Sequence, residues 1–386
     1  MAEPGFPHLP PPEGGRADLL IVAGEHSGDE HAARLLRELR ARRPGIAAAA
    51  LGGPALAAAG AQLLHDLTAS SVVGIFEVLK NLGYFRALHA EVLRWIAEHQ
   101  PKTVLFVDYP GLNLRLARAM RERGLSTKGG GKIRAAYYIS PQIWAWKADR
   151  RFAMARDLDA MAVIFPFELA CYADTDLAVE FVGHPFVEPD CSLPVAYDPD
   201  GPVLLLPGSR RQAVTRIYPV LAAGHREFGE RPGIVLYPSP EIASVLSRLS
   251  RKDTGRLRLE PVASCGGAPT AASAVLTSSG TISMQCALAG IPGAIAYRTN
   301  PLTYVMGRIL VKVPYIGIAN LMLGEAMYPE FIQGAAIPRA LGAELHACLH
   351  DPVRRQRTRE QSQRLRSALS HPAGVTAAVW LERFVA

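Results

Sequence analysis

Three short segments of this chain carry side chains able to do chemistry, and each follows an apolar run. Asp108 comes directly after Thr103 to Val107 and leads into Tyr109-Pro110. A carboxylate at the carboxyl tip of a buried parallel strand stands at the ligand-facing edge of its sheet. Partial desolvation there suits a general base, while a turn aspartate capping the next helix is the other reading of the same residues. Leu206-Pro207-Gly208-Ser209-Arg210 closes a second apolar run. Gly208 exposes backbone N–H groups, Ser209 adds a hydroxyl, and Arg210 supplies a permanent forked cation, a set that fits a diphosphate. Thr277-Ser278-Ser279-Gly280-Thr281 is another strand-to-helix turn presenting N–H groups that attract anions. Two such turns in one half of the chain point to an anionic, nucleotide-like ligand.

The first apolar run ends in Ala23-Gly24-Glu25-His26-Ser27-Gly28-Asp29. This is not the G-x-G-x-x-G of dinucleotide binding. Gly24 and Gly28 allow close backbone approach to a ligand, and Ser27 or Asp29 as a helix N-cap is the competing reading. Two other patterns carry no chemistry. Gly129-Gly130-Gly131-Lys132 looks like a phosphate loop, but Ile133 stands where Ser or Thr is required. His346 and His350 are four apart on an expected helix with no third ligand at an obvious spacing, so they read as a surface pair.

The elements that must position these residues alternate as strand and helix. Asp18–Ala23, Ile46–Leu51, Thr103–Val107, Arg134–Ile139 and Ala160–Ile164 read as buried strands, with helices over 28–42 and 82–98 among them. A proline-rich, helix-poor stretch from His184 to Pro202 suits a linker. The rhythm then restarts with strands Pro202–Leu206, Gly233–Tyr237, Ala274–Thr277 and Gly293–Tyr297. We read an α/β protein of two doubly wound, Rossmann-like domains with a cleft between them. The expected division is 1–16 as a disordered tail, 17–190 and 200–350 as the two domains, and 351–386 as C-terminal helices.

A length of 386 residues suits two domains, and 49% hydrophobic with 20% charged residues excludes a mostly disordered chain. Five scattered cysteines without C-x-x-C argue against a disulfide framework or thiolate metal site. No run is long and apolar enough for a membrane span, and no signal peptide is evident. The formal net charge of +7 is uneven: Asn113 to Arg156 holds eleven Lys/Arg against Glu122 and Asp149. Either this is a solvated helix face and loop, or it meets phosphate or an anionic bilayer. No nucleic-acid-binding module is present. Apolar stretches rimmed by cations, Val72 to Leu88 and Leu302 to Leu323, suit either core packing or contact with lipid.

The motifs resemble those of the lipid-A-disaccharide synthases, inverting glycosyltransferases of the GT-B architecture. The resemblance runs through AGEHSGD (Ala23–Asp29), GGPAL, VVGIFEVL (Val72–Leu79), VDYPGLNLRLA (Val107–Ala117), YYISPQIWAWK (Tyr137–Lys147), PFE (Pro166–Glu168) and FVGHP (Phe181–Pro185). It continues through LLPGSR (Leu205–Arg210), SSGT (Ser278–Thr281), YRTNPLTY (Tyr297–Tyr304), LVKVPY (Leu310–Tyr315), Ala319-Asn320 and PEFIQ (Pro329–Gln333). It implies transfer of 2,3-diacylglucosamine from its UDP derivative to the 6-hydroxyl of 2,3-diacylglucosamine 1-phosphate, with no cofactor and no metal. It also implies a cytoplasmic enzyme, peripheral on the inner face of the cytoplasmic membrane and touching its anionic lipids. A homodimer stays open.

By motif, the resemblance makes Asp108 the general base and Asn320 a cleft asparagine needed for activity. Gly208, Ser209, Arg210, Ser278, Ser279, Gly280, Thr281, Gln285, Tyr297 and Arg298 would hold UDP. Glu25, Ser27, Gly28, Asp29, Glu77, Asn113, Glu330 and Gln333 would face substrate. Trp144, Trp146, Lys147, Arg150 and Arg151 would meet acyl chains or membrane. The sequence departs from the family at Gln285, where a glutamate usually grips the nucleotide ribose, and at Glu30-His31, where Leu-Gly is usual. The competing expectations are a GT-B transferase or epimerase for soluble UDP-sugars, and a non-catalytic membrane-bound relative.

Overall fold

The computed structural model describes the chain except for residues 1–5, 72–81, 190, 253–255, 263–266, 301–303, 305–306, 308–312, 371, 373–374 and 386. It comprises two compact units, Met1–Pro185 with His371–Ala386, and Phe186–Ser370.

The first unit is built on seven parallel strands: β1 (Leu19–Ala23), β2 (Ala48–Gly52), β3 (Gln62–Asp66), β4 (Thr103–Val107), β5 (Arg134–Tyr138), β6 (Ala160–Val163) and β7 (Ala178–Phe181). Their order is β3-β2-β1-β4-β5-β6-β7. Every residue of β1, β2, β4 and β6 is buried, because helices cover both faces of a parallel sheet. Those helices include α1 (His26–Arg42), α2 (Pro54–Ala58), α3 (Leu82–His99), α4 (Pro110–Glu122) and α5 (Arg150–Asp157). On α1, Ala32, Leu35, Leu36 and Leu39 form the buried stripe.

In the second unit the six-stranded sheet has β9 (Val203–Leu206), β10 (Gly233–Tyr237), β11 (Leu257–Pro261), β13 (Ala274–Thr277), β14 (Gly293–Tyr297) and β15 (Glu330–Ile332), in the order β11-β10-β9-β13-β14-β15. A separate parallel pair joins β8 (Val195–Tyr197) to β12 (Thr270–Ala272), so the expected linker contributes a strand. Helices α6 (Arg211–Phe228), α7 (Pro240–Leu249), α8 (Thr281–Leu288), α9 (Ile318–Leu323), α10 (Pro338–His350) and α11 (Pro352–Leu369) complete it.

Two expected boundaries change. The C-terminal region is divided: α11 belongs to the second unit, whereas α12 (Ala377–Val385) belongs to the first. There Thr103 Oγ1 donates to Phe384 O, and Arg42 Nε to Glu382 Oε2 at 2.7 Å. Residues 6–16, expected within a disordered tail, are packed. Leu9 is buried, its N–H donates to Glu91 Oε1 (2.7 Å), and Trp95 Nε1 donates to Pro10 O (2.8 Å). Phe6 meets the rings of His65 and Tyr84 edge-on. Prolines lower the ordering cost of such an extended strap, and Phe6 and Leu9 supply the apolar area that holds it.

Candidate functional site

In the first sheet the chain reverses direction of travel between β1 and β4, since β1 connects toward β2 and β4 toward β5. At such a switch point the loops leaving the two strands separate and open a crevice at their carboxyl ends. Ala23 is paired with Val107, so Gly24-Glu25 and Asp108-Tyr109 emerge side by side.

Asp108 is held by its backbone. Its N–H donates to Tyr138 O (3.0 Å), and its carbonyl accepts from Asn113 Nδ2 (2.7 Å) and Tyr137 Oη (2.5 Å). These bonds hold a conformation that side chains other than glycine seldom adopt, with φ +45° at Asp108 and +46° at Tyr109. The carboxyl group titrates at about 6, raised first by burial and then by the neighbouring Glu25 carboxylate. It is thus a base with a proton affinity matched to near-neutral pH. Tyr109 lies flat against Gly24, where a Cβ would stand 2.1 Å from Tyr109 Cδ1.

The other expected residues of this unit differ in role. Asn113, expected to face substrate, is fully buried and also donates to Val22 O and Val107 O, so its amide ties the Asp108 backbone to β1 and β4. Asp29, likewise expected at substrate, is buried with its carboxylate accepting from Gly53, Ala55 and Leu56 N–H, which caps α2. Glu25 occupies the N-cap position of α1, contrary to the Ser27 or Asp29 cap allowed by the sequence. Ser27 is exposed on the first turn, and Gly28 lies against β4, 3.7 Å from Val107 O to a built Cβ. Glu77 lies outside the described residues. Tyr137 is the residue that sequence reasoning missed. It sits inside the YYIS motif, but only strand pairing brings its hydroxyl to Asp108.

In the second sheet the equivalent switch lies between β9 and β13, which pair directly. The Gly208–Arg210 and Ser278–Thr281 turns are therefore neighbours. Gly208 has φ +112°, and a Cβ there would stand 3.2 Å from Ser278 Oγ. Ser209, Arg210, Gly280 and Thr281 are exposed, at the amino ends of α6 and α8. A guanidinium and two helix N-termini converge where a diphosphate would be neutralised. Gln285 lies one turn into α8 and is half-buried.

Behind this cradle is a polar network. Ser279 Oγ donates to Ile316 O (2.7 Å), and the Glu330 carboxylate accepts from Ile316 and Gly317 N–H and from Asn320 Nδ2 (2.8 Å). Asn320, expected to act on substrate, is completely buried. Its Nδ2 also donates to Tyr328 O (2.7 Å) and its Oδ1 accepts from Tyr328 N (2.9 Å). With its amide taken up in this way it acts on the loop through position, as does Glu330. Gln333 is bound at both ends to the Thr299 backbone (3.0 and 3.2 Å). Tyr297 ends β14, and Arg298 donates to Ala336 O (2.6 Å). Arg298, Gln333, Thr215, Arg216 and Tyr304 line an open hollow of about 760 Å³.

The expected membrane residues separate. Trp144 packs edge-to-face on Phe167, near Glu168, whose carboxyl is pushed up to about 8 by burial. Trp146 is 46% exposed, with Lys147 and Arg150 over its ring, and Phe152 (50%) and Leu169 (40%) are also exposed. The basic segment is less positive than its own composition suggests. Arg121, Lys128, Arg151 and Arg156 pair with Asp157, Asp176 and Asp174, which lie just beyond it.

Residues 19–378 match the family model described as LpxB: Lipid-A-disaccharide synthetase. The chain belongs to the lipid-A-disaccharide synthase family. A lipid-A-disaccharide synthase of Syntrophus aciditrophicus (strain SB) is 36% identical over 376 residues, 93% of this chain and 95% of the relative. One of Geobacter metallireducens is 34% identical over 363 residues, covering 91% and 92%. Among solved structures, the glycotransferase of kitacinnamycin superposes with a TM-score of 0.57 at 17% identity, over 96% of this chain and 99% of that one. A putative UDP-N-acetylglucosamine 2-epimerase from Listeria monocytogenes gives 0.57 at 11%, over 94% of each. At those identities the likeness shows the fold alone, the GT-B architecture. As a family member the chain is a hexosyltransferase of lipid A disaccharide synthesis, using a UDP-sugar and a lipid-linked sugar.

Proposed function

We propose that this lipid-A-disaccharide synthase joins UDP-2,3-diacylglucosamine to 2,3-diacylglucosamine 1-phosphate, forming the β-1,6 disaccharide 1-phosphate and UDP. The observation that carries the mechanism is Asp108: a carboxylate titrating at about 6 and fixed by three backbone hydrogen bonds at a switch point. Its oxygen takes the proton of the acceptor 6-hydroxyl as that oxygen bonds to the donor sugar C1. The C1–O bond to the diphosphate breaks on the opposite face, its electron pair leaves with UDP, and the configuration inverts. Arg210 and the N–H groups at the starts of α6 and α8 stabilise the negative charge on the departing diphosphate, so the scheme assigns no step to a metal or cofactor. Gln285 hydrogen-bonds the ribose hydroxyls in place of a carboxylate.

Among the described residues no helix is long and apolar enough to cross a membrane. Trp146, Phe152 and Leu169, set among Lys147, Arg150 and Arg151, support peripheral docking on anionic lipid at the inner face of the cytoplasmic membrane. The test is to incubate purified protein with both diacylglucosamine substrates in detergent and weigh the products. A disaccharide monophosphate forming with equimolar UDP is expected. UDP release without disaccharide, or turnover of a soluble UDP-sugar in its place, would overturn the assignment.

A further inference from the structure

His346 and His350 meet a third group that their spacing does not reveal. Glu230 is 120 residues from His350 in sequence, yet its Oε2 is 2.5 Å from His350 Nε2 and its Oε1 is 3.9 Å from His346 Nε2. One donor atom from each of the three lies within 4.8 Å of the others, the one such group among the described residues. All three side chains are exposed, so solvent ions reach them and their terminal rotamers are free to adjust.

The arrangement is built by helix packing. Gly224 on α6 and Gly342 on α10 let the two helices come close: a Cβ on Gly224 would stand 2.6 Å from Leu341 Cβ, and one on Gly342 3.2 Å from Gly224 O. Beyond that contact α10 carries His346 and His350 on one face, one turn apart. The chain leaving α6 turns at Gly229 (φ +68°), whose N–H donates to His225 O (2.9 Å). His225 Nε2 then donates to Arg231 O (2.9 Å), and Arg231 Nη1 donates to Pro199 O (2.6 Å). Glu230 therefore sits in a loop fixed on both sides, opposite the two imidazoles.

We propose that Glu230, His346 and His350 form a solvent-open site for a borderline divalent metal ion, Zn²⁺ by preference. Two imidazoles and a carboxylate are the donors such ions take, whereas Ca²⁺ and Mg²⁺ need more oxygen ligands than this cluster offers. Tetrahedral coordination at about 2.0–2.1 Å requires donors roughly 3.3 Å apart, which falls between the two separations found here. Water fills the fourth position. The site is remote from the diphosphate cradle: α6 starts at Arg211, beside the cradle, and runs 18 residues to Phe228, about 27 Å of helix, with Glu230 just past its end. The metal accordingly clasps the far ends of α6 and α10 and takes no part in sugar transfer.

The experiment titrates chelator-treated, full-length protein with Zn²⁺ by calorimetry, beside His346→Ala, His350→Ala and Glu230→Gln. One zinc per chain is expected, with affinity falling at least tenfold in each variant and UDP binding unchanged. Zinc at 100 times its dissociation constant should raise the folded-to-unfolded ratio of wild type about 100-fold, and leave His346→Ala/His350→Ala unmoved. Because retained UDP binding shows that each variant is folded, loss of zinc cannot be mistaken for misfolding. Co²⁺ should give visible bands of nitrogen–oxygen ligation. Absence of saturable zinc binding by wild type overturns the proposal, as does uptake that survives loss of both histidines. A near-ultraviolet thiolate band with Co²⁺, which would move the metal to a cysteine, also overturns it.

Discussion

A carboxylate that titrates at about 6 gives the transferase a particular dependence on pH. In the proposed mechanism only the ionised form of Asp108 accepts the acceptor's proton, so kcat/KM should rise along a single acid limb centred near pH 6 and level off above pH 7. About one-tenth of Asp108 is ionised at pH 5 and about nine-tenths at pH 7, a roughly tenfold difference in rate; an ordinary aspartate near ~3.9 would change it by less than ~1.1-fold. Tyr109 and Tyr137 are both raised above the ordinary tyrosine range and stay protonated throughout. The acceptor phosphate also titrates near ~6, and Glu25→Gln separates the two. Removing that carboxylate should move the Asp108 limb to lower pH, though not to the ordinary value, because burial is the larger cause; a limb belonging to the substrate would not move. Stability carries the opposite sign. Since the folded value (about 6) exceeds the ordinary value of the unfolded chain (3.8), the favourable contribution is fully present below pH 3.8 and is lost as pH rises through 6. Asp108→Asn should therefore abolish the limb, cut turnover ~10²–10⁴-fold, and at pH 7 stabilise the fold by up to about 3 kcal/mol, a gain that vanishes below pH ~4. A profile flat from pH 5 to 7, or an Asn variant equally stable at pH 4 and 7 relative to wild type, refutes the reasoning.

Four further outcomes follow from the same geometry. Asn113→Ala removes the donor to Asp108 O and should lower kcat ~10–100-fold with UDP affinity intact, measured by steady-state kinetics and calorimetry; equal loss of both would make Asn113 merely structural. Arg210→Ala should weaken UDP binding ~10–100-fold, the range for a lost charge-assisted hydrogen bond, and unaltered affinity would remove Arg210 from the cradle. Glu330→Ala frees Ile316 N–H, Gly317 N–H and Asn320 Nδ2, and should cost about 1–3 kcal/mol in denaturant unfolding while weakening UDP through the Ser279–Ile316 contact. Replacing Lys147, Arg150 and Trp146 together by serine should reduce sedimentation with anionic vesicles, by about 1 kcal/mol for each cation at low salt; retention on vesicles would place the docking face elsewhere.

The roles of Asn113, Asn320, Glu330 and Asp29 share one physical cause. Each polar side chain is buried or half-buried beside backbone groups that need partners, and each satisfies them. The motifs containing these residues contribute to the site through the conformation they impose. Asp108 and Arg210 differ because the structure leaves charged atoms available: one carboxylate raised by burial, one guanidinium exposed at a helix start.

The sequence by itself determined the interior of both sheets. The strands legible as apolar runs, β1, β2, β4, β5, β6, β9, β10, β13 and β14, are the inner strands, covered on both faces and therefore continuously hydrophobic. Those it missed include all four edges, β3, β7, β11 and β15, where polar residues such as His65, Glu180, Arg258 and Glu330 break the run. Asp108, the Gly208–Arg210 and Ser278–Thr281 turns and the family were legible because they sit next to strand ends or in ordered motifs. Tertiary structure alone decided that Glu25 raises Asp108, that Tyr137 holds it, and that the Gly208 and Ser278 turns adjoin through β9 and β13. It also decided that Asn320 faces Glu330 and that Glu230 reaches two distant histidines. Hydrophobic periodicity is local along the chain, whereas the partner of a polar atom is set by strand order and helix packing.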